Sequence, residues 1–147
     1  MATVADPQQD LQQLTQQLQA IQAQLQELNT EQEALRATSQ ELDGAVDALE
    51  RIESGSTVQV PLGGETYVRA EIQDIDEVLV AVGAGFSAER SRDGAVETLK
   101  ERQSNVEERI EDITEHIAEL EQLATEIEQQ AQQLAQAQQF GGAGDRD

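Results

Sequence analysis

The chain has 147 residues with 2% aromatic side chains, no Trp and no Cys, and its 30 acidic against 9 basic residues give a formal net charge of -21. This composition excludes a large globular core, a disulfide framework and a thiolate metal site, and its sign repels phosphate backbones and anionic membranes. No apolar run approaches the roughly 20 residues that span a bilayer, and the opening MATVADPQQD lacks the pattern of a secretory signal, so a soluble, cytoplasmic protein with no nucleic-acid or membrane partner is expected.

Eight of the nine basic residues are arginine, and Lys100 is the single lysine. A salt-rich cytoplasm accounts for both features. At molar salt the Debye length is about 3 Å, so carboxylates spaced along a helix stop repelling one another while remaining hydrated. Ordinary acidic coiled-coil surface is the plainer alternative.

The first element is a helix over 8–54. Leu14, Ile21, Leu28, Leu35, Leu42 and Leu49 recur every seven residues, and Leu11, Leu18, Leu25, Gln32, Ser39 and Val46 fill the row three residues earlier. These rows are the d and a positions of a coiled-coil seam. Pro7 stands just ahead, after a possible Asp6 cap, and Ser54 with Gly55 stops the helix. The glutamine-rich stretch 8–33 looks like low-complexity sequence, but its leucine register argues for ordered helix.

The middle segment, 57–90, has the two-residue period of strands. Val58, Val60 and Leu62 alternate before Gly63-Gly64, then Thr66, Val68, Ala70 and Ile72 alternate again, which predicts a hairpin. Val78 to Val82 follows a turn around Asp74 to Asp76, and Gly83 to Gly85 reverses the chain into a short strand from Phe86 to Glu89. Two such ribbons are marginal in water and carry unpaired N–H and C=O groups on their edges, so they are expected to recruit neighbours. Gly83-Ala84-Gly85-Phe86-Ser87-Ala88 also fits the loose dinucleotide fingerprint, but no strand returns after the following helix, so a turn is expected rather than a nucleotide site.

The last third repeats the seam over 92–139. Leu99, Val106, Ile113, Leu120, Ile127 and Leu134 form one row; Val96, Gln103, Ile110, Ile117, Ala124 and Ala131 form the other. At about 1.5 Å per residue both helical segments would be close to ~70 Å long, which suggests a folded-back pair. One antiparallel register satisfies every layer, with Leu11 opposite Leu134, Leu14 opposite Ala131, Ile21 opposite Ala124 and Leu49 opposite Val96. Gln32, Ser39 and Gln103 interrupt the seam and fix its register at some cost in stability. Two separate helices, each dimerising with another chain, is the competing arrangement. The expected fold is thus mainly α, one domain over 1–147: a long antiparallel two-helix coiled coil joined by two β-hairpins, with 141–147 a flexible tail.

No catalytic constellation is present. His116 stands alone in HIAEL at a flanking position, and pairs such as Glu107 with Asp112 or Glu111 with Glu115 lie where acid is everywhere. No enzyme activity, cofactor or metal is expected.

The stretch VPLGGETYVRAEI, then VLVAVGAGFSAER and the helix holding Ala95, Leu99 and Lys100, resembles the α subunits of archaeal prefoldins, and the acidity points to those of a halophile. The match is carried by Val60, Pro61, Leu62, Gly63, Gly64, Tyr67 and Val68, then Val82, Gly83, Gly85 and Glu89. The resemblance implies a heterohexamer of two α and four β subunits whose hairpins join into a β-barrel platform. It further implies an ATP-independent holdase that binds unfolded client proteins at its coiled-coil tips and delivers them to a group II chaperonin. Val58, Val60, Leu62, Tyr67, Val68, Val78, Val80, Val82 and Phe86 are the candidate oligomerisation residues. Leu11, Leu14, Leu18, Leu134 and Phe140, at the free end where the seam loses cover, are the candidate client-binding tip residues. A structural coiled-coil scaffold or spacer without client binding is the alternative.

Salt adaptation predicts that helical circular dichroism falls as salt is lowered from molar to millimolar, because repulsion between carboxylates returns. A signal that stays constant across that range would remove the idea.

Overall fold

Long runs of Gln, Glu, Leu and Ala, all good helix formers, occupy both ends of the chain, and β-branched residues punctuated by glycine occupy its middle. The computed structural model describes the backbone of residues 7–144 and the side-chain surroundings of residues 8–138. Helix α1 (Pro7–Arg51) is followed by β1 (Thr57–Gly63), β2 (Thr66–Glu71), β3 (Val78–Gly83), β4 (Phe86–Arg90) and helix α2 (Arg92–Gly144). The chain divides into two compact units, one formed by the chain up to Ala34 and from Arg109 onward, the other by Leu35–Glu108.

In the first unit the two helices share one apolar seam. Ile21, Leu120 and Ile127 are buried, and Leu14, Leu18, Leu25, Leu28 and Ala124 pack against them. This neighbourhood agrees with the register that sets Ile21 opposite Ala124. Ile113 is the most enclosed large side chain, 2% exposed. The polar seam residue Gln32 is half-buried, and its Nε2 donates to Thr114 Oγ1 at 2.7 Å. Thr114 in turn donates to Ile110 C=O at 2.8 Å, so the amide finds a partner without breaking the helix ladder. Arg109 donates to Glu31 Oε1 from Nε at 3.2 Å and Nη2 at 3.0 Å. Both partners of that pair are about half exposed, which limits its worth to under about 1 kcal/mol.

In the second unit Val46, Val80 and Ala95 are buried. Gln103, the other long polar seam residue, donates from Nε2 to Ser39 C=O at 3.5 Å. The strands form two separate two-stranded antiparallel sheets, β1 with β2 and β3 with β4. Both close by the same device. After a register shift, Gly63 pairs with Thr66 and Gly83 with Phe86, leaving two-residue loops whose residues all have positive φ: Gly64 (58°) and Glu65 (60°), Ala84 (52°) and Gly85 (79°). Two consecutive left-handed residues match the right-handed twist of the flanking strands. The segment that fits a dinucleotide fingerprint is therefore the turn of the second hairpin.

Helix α2 runs to Gly144, so residues 141–144, expected in a flexible tail, are helical; residues 145–147 lie outside the described residues. Glycine is a poor helix former, but an established helix extends at far lower cost than it nucleates. Helix α1 ends at Arg51, short of the expected residue 54, with Ile52 N–H still donating to Ala48 C=O at 2.9 Å.

Ile113→Ala removes a fully enclosed side chain and is expected to destabilise the helix pair by about 2–4 kcal/mol, whereas Leu123→Ala, at a 44% exposed position off the seam, should cost under about 1 kcal/mol. Chemical denaturation of the two variants checks this, and equal losses would reject the seam.

Candidate interaction surfaces

The hairpins are held to the helices by a neck of polar contacts. Ser91 caps α2, its Oγ accepting from Gly94 N–H at 3.1 Å and its C=O from Ala95 N–H at 2.8 Å. A Cβ on Gly94 would meet that Oγ at 3.1 Å, so the bare glycine lets the cap close. Next to it, Arg92 reaches back to the end of α1, donating from Nη2 to Ile52 C=O at 2.5 Å and facing the Glu53 carboxylate at 3.3 Å and 3.4 Å. Its guanidinium thereby caps the C-terminus of one helix from the first turn of the other. Gly55 N–H donates to Ile72 C=O at 2.7 Å, Ile72 N–H to Ser56 C=O at 2.9 Å and Ile75 N–H to Ser54 Oγ at 3.1 Å. Asp74 closes an Asx turn onto Asp76 N–H at 2.9 Å. Arg102 of α2 donates to Ala81 C=O, tying down β3.

Strand register decides which side chains remain outside. Val60 and Val68 are paired partners and so share a face; by the two-residue period Val58 and Ala70 lie on that same face, while Leu62 sits in the register shift before the turn. Val58 and Ala70, nearest the helices, are half-buried, while Val60, Leu62 and Val68 are exposed. Pro61 and Tyr67 pair on the opposite face, with Tyr67 exposed. In the second hairpin Val78 and Val80 point inward, half-buried and 6% exposed respectively. Val82 and Phe86 lie nearer the turn and are exposed, Phe86 at 71%.

Of the nine candidate oligomerisation residues, then, six stand exposed at the hairpins (Val60, Leu62, Tyr67, Val68, Val82 and Phe86), while Val58, Val78 and Val80 are turned wholly or partly into the protein's own packing. Sequence reasoning passed over Leu79, which is 74% exposed. Its signal was present, since alternation puts Leu79 on the opposite face from Val78 and Val80. Each strand pairs on one side only, so bare edges and exposed apolar side chains coincide.

At the other candidate surface, Leu14 and Leu134 line one open groove of about 500 Å³ together with Asp10, Gln13, Gln17, Gln130, Gln133 and Ala137. Leu11, Leu14, Leu18 and Leu134 are all half-buried, and Leu18 sits within the seam cluster. The side chain of Phe140 lies outside the described residues. Among the described residues no group of three or more His, Cys, Asp or Glu side chains could hold a metal, and no helix is long and apolar enough to cross a membrane.

Two long helices joined by two small hairpins define the protein's class, a hairpin-bearing antiparallel coiled-coil chain. The family model of the Prefoldin subunit matches residues 8–137, and the chain belongs to the prefoldin family. It is 57% identical over 63 residues to a prefoldin subunit alpha of Haloarcula marismortui and 59% identical over 63 residues to that of Haloquadratum walsbyi, in each case covering 43% of this chain. The match spans 41% of the length of each of these curated relatives. Among solved structures the prefoldin beta subunit from Thermococcus strain KS-1 shares the fold, with a TM-score of 0.59 and 20% identity over 90% of this chain and 96% of that one.

Arg92→Ala leaves the α1 end uncapped and is expected to destabilise the second unit by about 1–3 kcal/mol, with faster amide exchange at Gly55, Ile72 and Ile75. Arg92→Lys should recover only part, because an ammonium cannot span Ile52 C=O and the Glu53 carboxylate together. Wild-type melting and exchange in Arg92→Ala would discard the neck as an anchor.

Proposed function

We propose that this chain is the α-type subunit of an ATP-independent cytoplasmic chaperone, a holdase that binds unfolded polypeptide at its helix ends and passes it to a group II chaperonin. The family match over residues 8–137 carries this reading. The hairpins supply its assembly surface. Bare strand edges flanked by Leu62, Leu79, Val82 and Phe86 suit addition of further strands, giving a β-barrel platform with β subunits in a two α, four β hexamer. The helix ends supply the client surface. Several shallow sites of the Leu14–Leu134 kind, brought together on one platform, would capture extended chains by raising their effective concentration rather than by reading a sequence.

Mass measurement of the chain alone and mixed with a β subunit from a related archaeon should show a heterohexamer only in the mixture. The assembled complex should suppress aggregation of a denatured client at stoichiometric, not catalytic, amounts, with no effect of added ATP. A chain that stays apart from the β subunit, or a complex that leaves aggregation unchanged, would reject the proposal. Phe86→Ser with Leu79→Ser should reduce hexamer yield at least tenfold while leaving helical circular dichroism intact.

A further inference from the structure

In a chain of net charge -21, the segments Leu11 to Gln26 and Gln129 to Gly144 carry no charged side chain at all. The first holds eight glutamines and the second seven. Both segments belong to the first unit, and the groove that joins them places Gln13, Gln17, Gln130 and Gln133 around Leu14, Leu134 and Ala137, with Asp10 as its single charged lining residue. None of these four glutamines makes a side-chain hydrogen bond to another described residue.

We infer that this glutamine band recognises the main chain of an extended polypeptide, its side-chain amides bonding to the client's peptide N–H and C=O groups while Leu14 and Leu134 receive whichever apolar side chains lie between. The inference rests on client capture at the helix ends. A glutamine offers the same donor and acceptor as a peptide bond, so it can serve either group of an unfolded backbone. Gln13 and Gln17 stand one helical turn apart on one face, a rise of about 6 Å. Alternate residues of an extended strand, whose peptide groups point to the same side, are about 6.7 Å apart. The two repeats are close enough for both amides to engage one client strand.

Charge would defeat this site in two ways. A carboxylate cannot donate, and any ion pair with a client would weaken as salt screens it. Neutral amide bonds are not screened, and peptide groups are common to every client. The band thus couples insensitivity to client sequence with insensitivity to salt.

The test uses the full chain, assembled with the β subunit, and two probes in molar salt. One is reduced, carboxamidomethylated α-lactalbumin, which stays unfolded and is acidic, so attraction of opposite charges cannot produce binding. The other is a pair of short uncharged apolar peptides of identical sequence, one with N-methylated peptide bonds. Replacing Gln13, Gln17, Gln130 and Gln133 together by Ala removes the amides but keeps Leu14, Leu134 and the helix propensity, which circular dichroism checks. Expected are a rise in Kd of at least about tenfold for the four-Ala variant, from loss of four modest hydrogen bonds, and a matching loss for the wild type with the N-methylated peptide. Wild-type affinity in the four-Ala variant, or equal affinity for the two peptides, would overturn the inference while leaving client capture standing. Absence of any binding by the wild type would bring down both.

Discussion

Everything in this protein hangs on apolar side chains that recur alternately three and four residues apart on two antiparallel helices. Each layer is one residue thick, and few side chains are buried; in the first unit Ile21, Ile113, Leu120 and Ile127 are, with Ile113 the most enclosed of them. A seam of this kind has no deep core to share strain, so each layer contributes a small local increment and each helix end is held only by its last layers. Polar seam residues are tolerated where a partner lies across the helix pair. Gln32 finds Thr114, and Gln103 finds a backbone carbonyl at Ser39, which makes these positions markers of register more than sources of stability.

That seam also sets what the hairpins can do. Where β1 to β4 leave the helices they pass from cover to solvent within a few residues: Val80 is buried, yet Val82, two residues on, is exposed. Ribbons of two strands depend on this partial support, and the neck around Arg92 supplies it by joining the end of α1, the β2–β3 loop and the start of α2. The Arg92 Nε is buried without a hydrogen-bond partner, a cost that the Ile52 and Glu53 contacts offset.

Much of this was legible in the sequence because its two periods are clean. Seven-residue rows gave both helices and their register, and strict alternation gave the hairpins; glycine pairs marked the turns. What stayed hidden depended on neighbours. Val78, Val80 and Val82 are β-branched members of one apolar run, but cover by the protein itself separates the first two from the third, and the sequence pattern says nothing of where cover stops. Leu79 was overlooked for the converse reason, being the outward member of an apolar run. Arg92 looked like one more charged residue at a helix start, since nothing in a linear sequence reveals a carbonyl forty positions earlier.

The distribution of polarity finally separates the hairpins from the Leu14–Leu134 groove by chemistry. At the hairpins, exposed Leu62, Leu79 and Phe86 adjoin bare strand edges, a combination that invites uncontrolled pairing unless one partner covers side chains and backbone together. In the groove of the first unit Leu14 and Leu134 are half-buried and bordered by the amides of Gln13, Gln17, Gln130 and Gln133, with Asp10 the one carboxylate. Outside the uncharged segments 11–26 and 129–144, acidic side chains recur along both helices and face solvent, as at Glu27, Glu33, Glu115 and Glu128, where like charges repel. One short chain thus carries exposed apolar hairpins, acidic helix surface and an uncharged, glutamine-lined groove, each following from which residue types its two helices and two hairpins leave outside the seam.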